Sequence, residues 1–305
     1  MQKISKHLRL SSLLVPILGL VLLLSGCASQ LKAYDAQQKL GPQLNYTITG
    51  IDAGAGIMGN TQTALQVYGL KTANWQLQTS STAAMTSALN KAIQYKQPIV
   101  ITGWQPHWMF TKYKLKFLKD PKNVYGKTEN IDTITRIGFK QSNPAVYKFL
   151  QNFNWTPTEM SGIMLKVNNG IDPAKAAQAY IDKHPQQVKQ WLKGVAKGHG
   201  QKVTIAYVAW DSEIASTNLV KRILDKRGYQ VTIQAMEAQP MWAAVATKAA
   251  DISLSAWLPN THAIYAKQYK GKYVDVRANL HGARTGLAVP TYMKNINSIE
   301  DLKNK

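Results

Sequence analysis

The chain has one cysteine, Cys27, in 305 residues. No internal disulfide can form, so packing alone must hold the fold. Acids are scarce: 16 Asp and Glu stand against 37 Lys and Arg, a formal net charge of +21. Phenylalanine is rare at 5, whereas tryptophan reaches 8. The apolar run Leu13–Leu24 is too short to span a bilayer. His184, His199 and His281 have no carboxylate or cysteine at metal-ligand spacing, so they read as surface residues and no metal site is expected. No Ser-centred elbow or activated nucleophile appears, which argues against an enzyme, and no cofactor is called for. The Lys residues are scattered (Lys112, Lys114, Lys116, Lys119, Lys122) and form no compact stripe, so nucleic acid is not an expected partner.

What is present begins with a leader. Lys3, Lys6 and Arg9 precede the apolar run, which ends in Leu24-Ser25-Gly26-Cys27. This resembles a bacterial lipobox, in which the cysteine is lipidated and becomes the first residue. Residues 1–26 are therefore expected to be a lipoprotein signal peptide and Cys27 the lipidation site. Residues 27–44, polar and ending near Gly41-Pro42, read as an anchored linker. The mature chain keeps a charge of +18. A lipid plus a basic body is a two-signal attachment. The protein is expected outside the cytoplasm, on the outer face of the cell membrane.

Hydrophobic residues make up 45% of the sequence, enough for a sizeable core. Tyr46–Ile51 alternates as a strand and runs into Asp52-Ala-Gly54-Ala-Gly56-Ile57-Met58-Gly59, followed by a helix over Thr61–Leu70. Glycines between a strand and a helix start allow close approach to an anion. The spacing is neither a phosphate loop nor a dinucleotide fingerprint. A helix over Ala83–Tyr95, capped by Ser80 or Ser81, leads to the strand Pro98–Trp104 and then Gln105-Pro106-His107-Trp108. Another strand is expected over Ile131–Phe139. Helices should start at Asn143-Pro144, Thr156 and Asp172-Pro173.

The second half repeats the first. Strand Lys202–Ala209 ends in Trp210, and a helix is expected over Ser216–Lys226. Strand Gln230–Ala235, helix Met241–Ala249 and strand Ile252–Ala256 lead to Trp257-Leu-Pro259-Asn-Thr-His262. Trp-X-Pro thus occurs twice, 48 residues after Gly56 and 47 after Trp210. Alternating strands and helices give an α/β fold with mainly parallel sheets. The expected domains are a first lobe over 45–150, with 290–305 returning to it, a helical connecting region over 151–200 and a second lobe over 201–289. Trp191 and Trp242 read as core, and His107 and Trp108 as supports of their turn.

Trp104, Trp210 and Trp257 should then meet at the cleft, with Gly56, Ile57 and His262 beside them. Indole faces attract a cation that carries no N–H. Free amides and an imidazole suit a carboxylate, so the set suits a small zwitterion.

The stretches GIDAGAGIM, GWQPHWMF with LKDPKNVYG, and AWLPNTH resemble the substrate-binding proteins of glycine betaine/proline betaine ABC importers, from about Asn45 to Lys303. The resemblance implies a two-lobed periplasmic-binding-protein fold, hinged and type II-like. It implies a trimethylammonium in a prism of Trp104, Trp210 and Trp257. The carboxylate would meet Gly56, Ile57 and His262. Glycine betaine or proline betaine would be the ligand, a permease and its ATPase the partners, and the chain a monomer serving osmoprotectant uptake. Choline or carnitine is the alternative ligand, and a basic surface-adhesion lipoprotein the alternative role. Choline would leave the carboxylate site idle.

Overall fold

The computed structural model describes residues 32–304. The expected signal peptide (residues 1–26), Cys27 and the first residues of the expected linker lie outside the described residues.

Nine strands form one sheet: β1 (Thr47–Thr49), β2 (Gln76–Gln78), β3 (Ile101–Gln105), β4 (Leu115–Phe117), β5 (Glu129–Arg136), β6 (Lys202–Tyr207), β7 (Gln230–Ala235), β8 (Ile252–Leu258) and β9 (Tyr273–Pro290). Their order is β2-β1-β3-β9-β5-β8-β6-β7, with β4 also on β9. The repeat is visible in the pairing. In the first half β1 lies parallel between β2 and β3, and β9 runs antiparallel to β3. In the second half β6 lies parallel between β7 and β8, and β5 runs antiparallel to β8. Each half is therefore a parallel trio, as the alternating elements require, closed by an antiparallel strand. Both Trp-X-Pro motifs also share a cis peptide, at Gln105-Pro106 and Leu258-Pro259.

β9 belongs to both halves. Residues up to Ala283 pair with β5, and from Arg284 onward the strand pairs with β3 and then β4. The other crossing lies just before β5. Tyr125 still belongs to the first lobe, where its hydroxyl donates to Thr61 Oγ1 at 2.9 Å, while Glu129 already pairs with Ala283. The lobes so divide near residues 126–129 and 283–284. β5, which the sequence reading grouped with the first lobe, pairs with β8 and β9.

Local signals fixed the helices. Ser81 Oγ accepts from the Ala84 amide, Asn143 Oδ1 from Val146, and Asp172 Oδ1 from Lys175. Thr156 and Glu159 form a reciprocal capping box. Residues 33–44 are not a free linker. The Tyr34 amide donates to Lys96 O at 2.7 Å, and Leu40 is fully buried within a short helix, Leu40–Gln43. Trp191 and Trp242 are core, as read.

Candidate ligand-binding site

Three strand ends carry the tryptophans. Trp104 sits near the end of β3 opposite Thr285 of β9, and Trp257 near the end of β8 opposite Ile131 of β5. Trp210 follows β6 and caps the helix Asp211–Lys226, which starts five residues earlier than its sequence pattern suggests. Facing them is the start of the helix Gly56–Val67, whose Ala55 cap offers no side-chain bond to the first-turn amides. The Met58 amide donates to Ala55 O at 2.9 Å, which leaves the Gly56 and Ile57 amides as donors at the positive end of a helix dipole.

These pieces enclose one cavity of about 310 Å³, its open mouth included. It is lined by Ile51, Ala55, Gly56, Ile57, Trp104, Trp210, Ser212, Trp257, Thr261 and Thr285. Five of the six residues singled out from the sequence stand in its wall. The sixth, His262, is one step back, fully buried and packed 6.0 Å from the Trp210 ring. Its Nδ1 accepts from the Trp257 amide at 3.2 Å, so the proton belongs on Nε2. That Nε2–H and the Trp257 Nε1–H are buried with no partner among the described residues. Burial pushes the His262 imidazole down to about 3, which keeps it a neutral donor.

Bonds between the lobes hold the walls. Trp210 Nε1–H donates to Asp52 Oδ2 of the first lobe at 3.1 Å. The Tyr265 hydroxyl donates to Gly54 O at 2.7 Å. His107 Nε2 and Trp108 Nε1 both reach Asp211 Oδ2, each at 3.0 Å. His107 Nδ1 accepts from the Met109 amide, so Nε2 carries the proton and His107 is neutral; burial lowers its pKa against the opposing pull of Asp211. Burial disfavours the Asp211 carboxylate, yet the bonds from His107 and Trp108 outweigh it and hold the group below its ordinary value. His107 and Trp108 thus support their turn and also clasp the opposite lobe. Glu129 is buried at the crossing and accepts from the Asn260 and Thr261 amides and the Thr261 hydroxyl, which fixes one wall residue.

Sequence reasoning missed Ile51, Ala55, Ser212, Thr261 and Thr285. Thr261 was within reach, inside the AWLPNTH stretch. Thr285 gave no signal, since only β9 pairing with β3 brings it to the cleft. Asp52 was quoted in the glycine turn, but its partner lies 158 residues away.

A family model for the substrate binding domain of ABC-type glycine betaine transport systems matches residues 28–183 and 201–305. The glycine betaine/carnitine transport binding protein GbuC of Listeria monocytogenes serotype 1/2a is 61% identical over 284 residues, 93% of this chain and 95% of that protein. Among solved structures, lactococcal OpuAC, closed and complexed with glycine betaine, is 46% identical with a TM-score of 0.48, covering 52% of this chain and 62% of that chain. An ABC-transporter choline binding protein in complex with choline is 28% identical with a TM-score of 0.45, covering 56% and 61%. These structural matches span less than two thirds of either solved chain.

Proposed function

Because the chain belongs to the family of substrate-binding domains of ABC-type glycine betaine transport systems, we propose that its interlobe cavity holds a zwitterion by a trimethylammonium group at one end and a carboxylate at the other. The chain is the extracytoplasmic capture component of an importer and is not an enzyme. One observation carries the reading of the site: indoles from both lobes line the same cavity as an uncapped helix start.

The chemistry follows from that pairing. A quaternary ammonium has charge but no N–H, so water holds it weakly and an aromatic face suits it. Each desolvated face contributes on the order of 1–2 kcal/mol, so three give roughly 3–6 kcal/mol. Micromolar affinity needs about 8 kcal/mol. The Gly56 and Ile57 amides and the neutral His262 Nε2–H supply the remainder by binding the carboxylate. Asp52 holds the Trp210 ring in place and adds negative charge near the cation.

Glycine betaine, proline betaine and carnitine all carry a quaternary ammonium and a carboxylate, and the Listeria relative is named for glycine betaine and carnitine. Choline offers no carboxylate. A tryptophan-fluorescence titration of the purified chain tests this. Glycine betaine or carnitine should change the emission at micromolar concentration, with proline and choline far weaker. Equal responses to choline and glycine betaine would remove the carboxylate site from the account.

We also propose that Cys27 is lipidated and tethers a monomer beside its permease and ATPase. No helix among the described residues is long and apolar enough to cross a membrane. Cys27→Ser should release the protein from the cell surface; retention there would disprove the anchor.

A further inference from the structure

The two segments that join the lobes enclose a second pocket, about 890 Å³ with its open mouth included. Residues 117–120 and 125–128 form one side of it, and Arg284, Thr285 and Gly286 of β9 the other. It is therefore a pocket at the hinge, and through Thr285 it shares a wall residue with the ligand cavity.

Its charge is lopsided. Lys119, Lys127 and Arg284 line it against one carboxylate, Asp120. That carboxylate is already engaged, since it accepts from the Tyr68 hydroxyl and from the Tyr125 amide at 2.8 Å. Arg284 is half-buried, and its guanidinium lies 3.8 Å from the centre of the Phe117 ring. Among the described residues it has no hydrogen bond or ion pair, although it carries five N–H donors. Burial pulls its pKa down, as expected for a positive charge with nothing opposite. A guanidinium stacked on a ring keeps its edge free, and that edge matches two oxygens of one oxyanion.

We propose that the hinge pocket binds a small oxyanion, a phosphate or carboxylate group on a soluble molecule, held by the Arg284 edge and by Lys127 and Lys119. Arg284 stands on one crossing segment and Lys127 on the other, while Lys119 belongs to the first lobe, where its amide donates to Asn297 O. A bound oxyanion therefore bonds to both strands of chain on which the lobes turn. The betaine cavity holds its anion by amides and a neutral imidazole, so the two sites use different chemistry and the second does not depend on the first.

Calorimetric titration of the purified full chain with inorganic phosphate, and separately with acetate, at constant ionic strength and without betaine tests the proposal. At least one of the two should bind. Arg284→Gln should weaken that binding about tenfold or more, since it removes a bidentate charged pair. Lys127→Gln changes an exposed side chain and gives a folded second variant; it should weaken binding about threefold. With a background of about 0.15 M salt to screen unspecific surface charge, absence of heat from both anions up to about 10 mM would overturn the proposal. So would binding that neither variant changes.

Discussion

Gly56 of the first lobe lies directly against the Thr261 carbonyl of the second. A Cβ built on Gly56 would fall 2.7 Å from that carbonyl carbon and closer still to its oxygen. Glycine is not needed here for backbone conformation, since Gly56 is not among the positive-φ positions. It is needed so that the lobes can meet. Gly56→Ala should leave each lobe folded, because alanine suits a helix start at least as well. It should weaken closure by roughly 1–3 kcal/mol, the usual range for overpacking. Ligand Kd should then rise about 5- to 150-fold with little change in melting temperature. Unchanged affinity would mean that the lobes do not close on the ligand in this way.

Asp211 gathers two donors from the opposite lobe, His107 and Trp108. None of the three residues lines the cavity, although His107 packs edge-on against the wall residue Trp104 at 4.5 Å, so the bonds join the lobes just behind the wall. Asp211→Ala should lose about 1.5–3 kcal/mol, the range for hydrogen bonds to a charged group. That loss should appear as a weaker affinity with a faster ligand off-rate, measured by stopped-flow fluorescence. If instead the on-rate fell and the off-rate stayed fixed, the clasp would be steering encounter rather than holding the closed form.

Much of this was legible because it is written locally. The Trp-X-Pro repeat, the glycine turn and the helix caps each occupy a few consecutive residues, and five of the six chosen positions share one cavity wall. What was not legible depends on pairing across long separations. β5 is buried along most of its length between β8 and β9, and nothing in its sequence tells which strands it joins. The single strand from Tyr273 to Pro290 serves both lobes, which only its pairing with β5, β3 and β4 reveals. Asp52 and Asp211 carry no local sign of their roles, because their partners come from the other lobe. His262 was expected at the cavity with the tryptophans; it lies one step behind the wall, its Nδ1 accepting from the Trp257 amide.

Glu213 gives the fold a pH dependence that can be assigned to one side chain. It is fully buried in the first turn after Trp210, and its Oε2 accepts from the Val208 amide at 2.7 Å. That bond staples the exit of β6 to the helix and so supports the Trp210 turn. Burial is the largest influence on the carboxyl and pushes it up from 4.5 to about 8. The folded state therefore keeps a proton that the unfolded chain has already released. Glu213's contribution is fully present below pH 4.5 and is lost as pH rises to about 8. Asp132, raised to about 7 by burial and by Asp275 and Glu129, acts in the same direction. His262 acts oppositely: its contribution is full above pH 6.5 and is lost as pH falls towards about 3. Between pH 6.5 and 8 only the carboxyl groups of this set titrate, so wild type should lose stability there. At about 1.4 kcal/mol per unit, the Glu213 share over that window is roughly 2 kcal/mol. Glu213→Gln keeps the shape of the protonated acid and removes the titration. Urea unfolding at pH 6.5 and 8 should show a smaller loss in the variant than in wild type. Parallel losses in the two proteins would assign the slope to Asp132 or elsewhere, and Asp132→Asn would then be the change that flattens it.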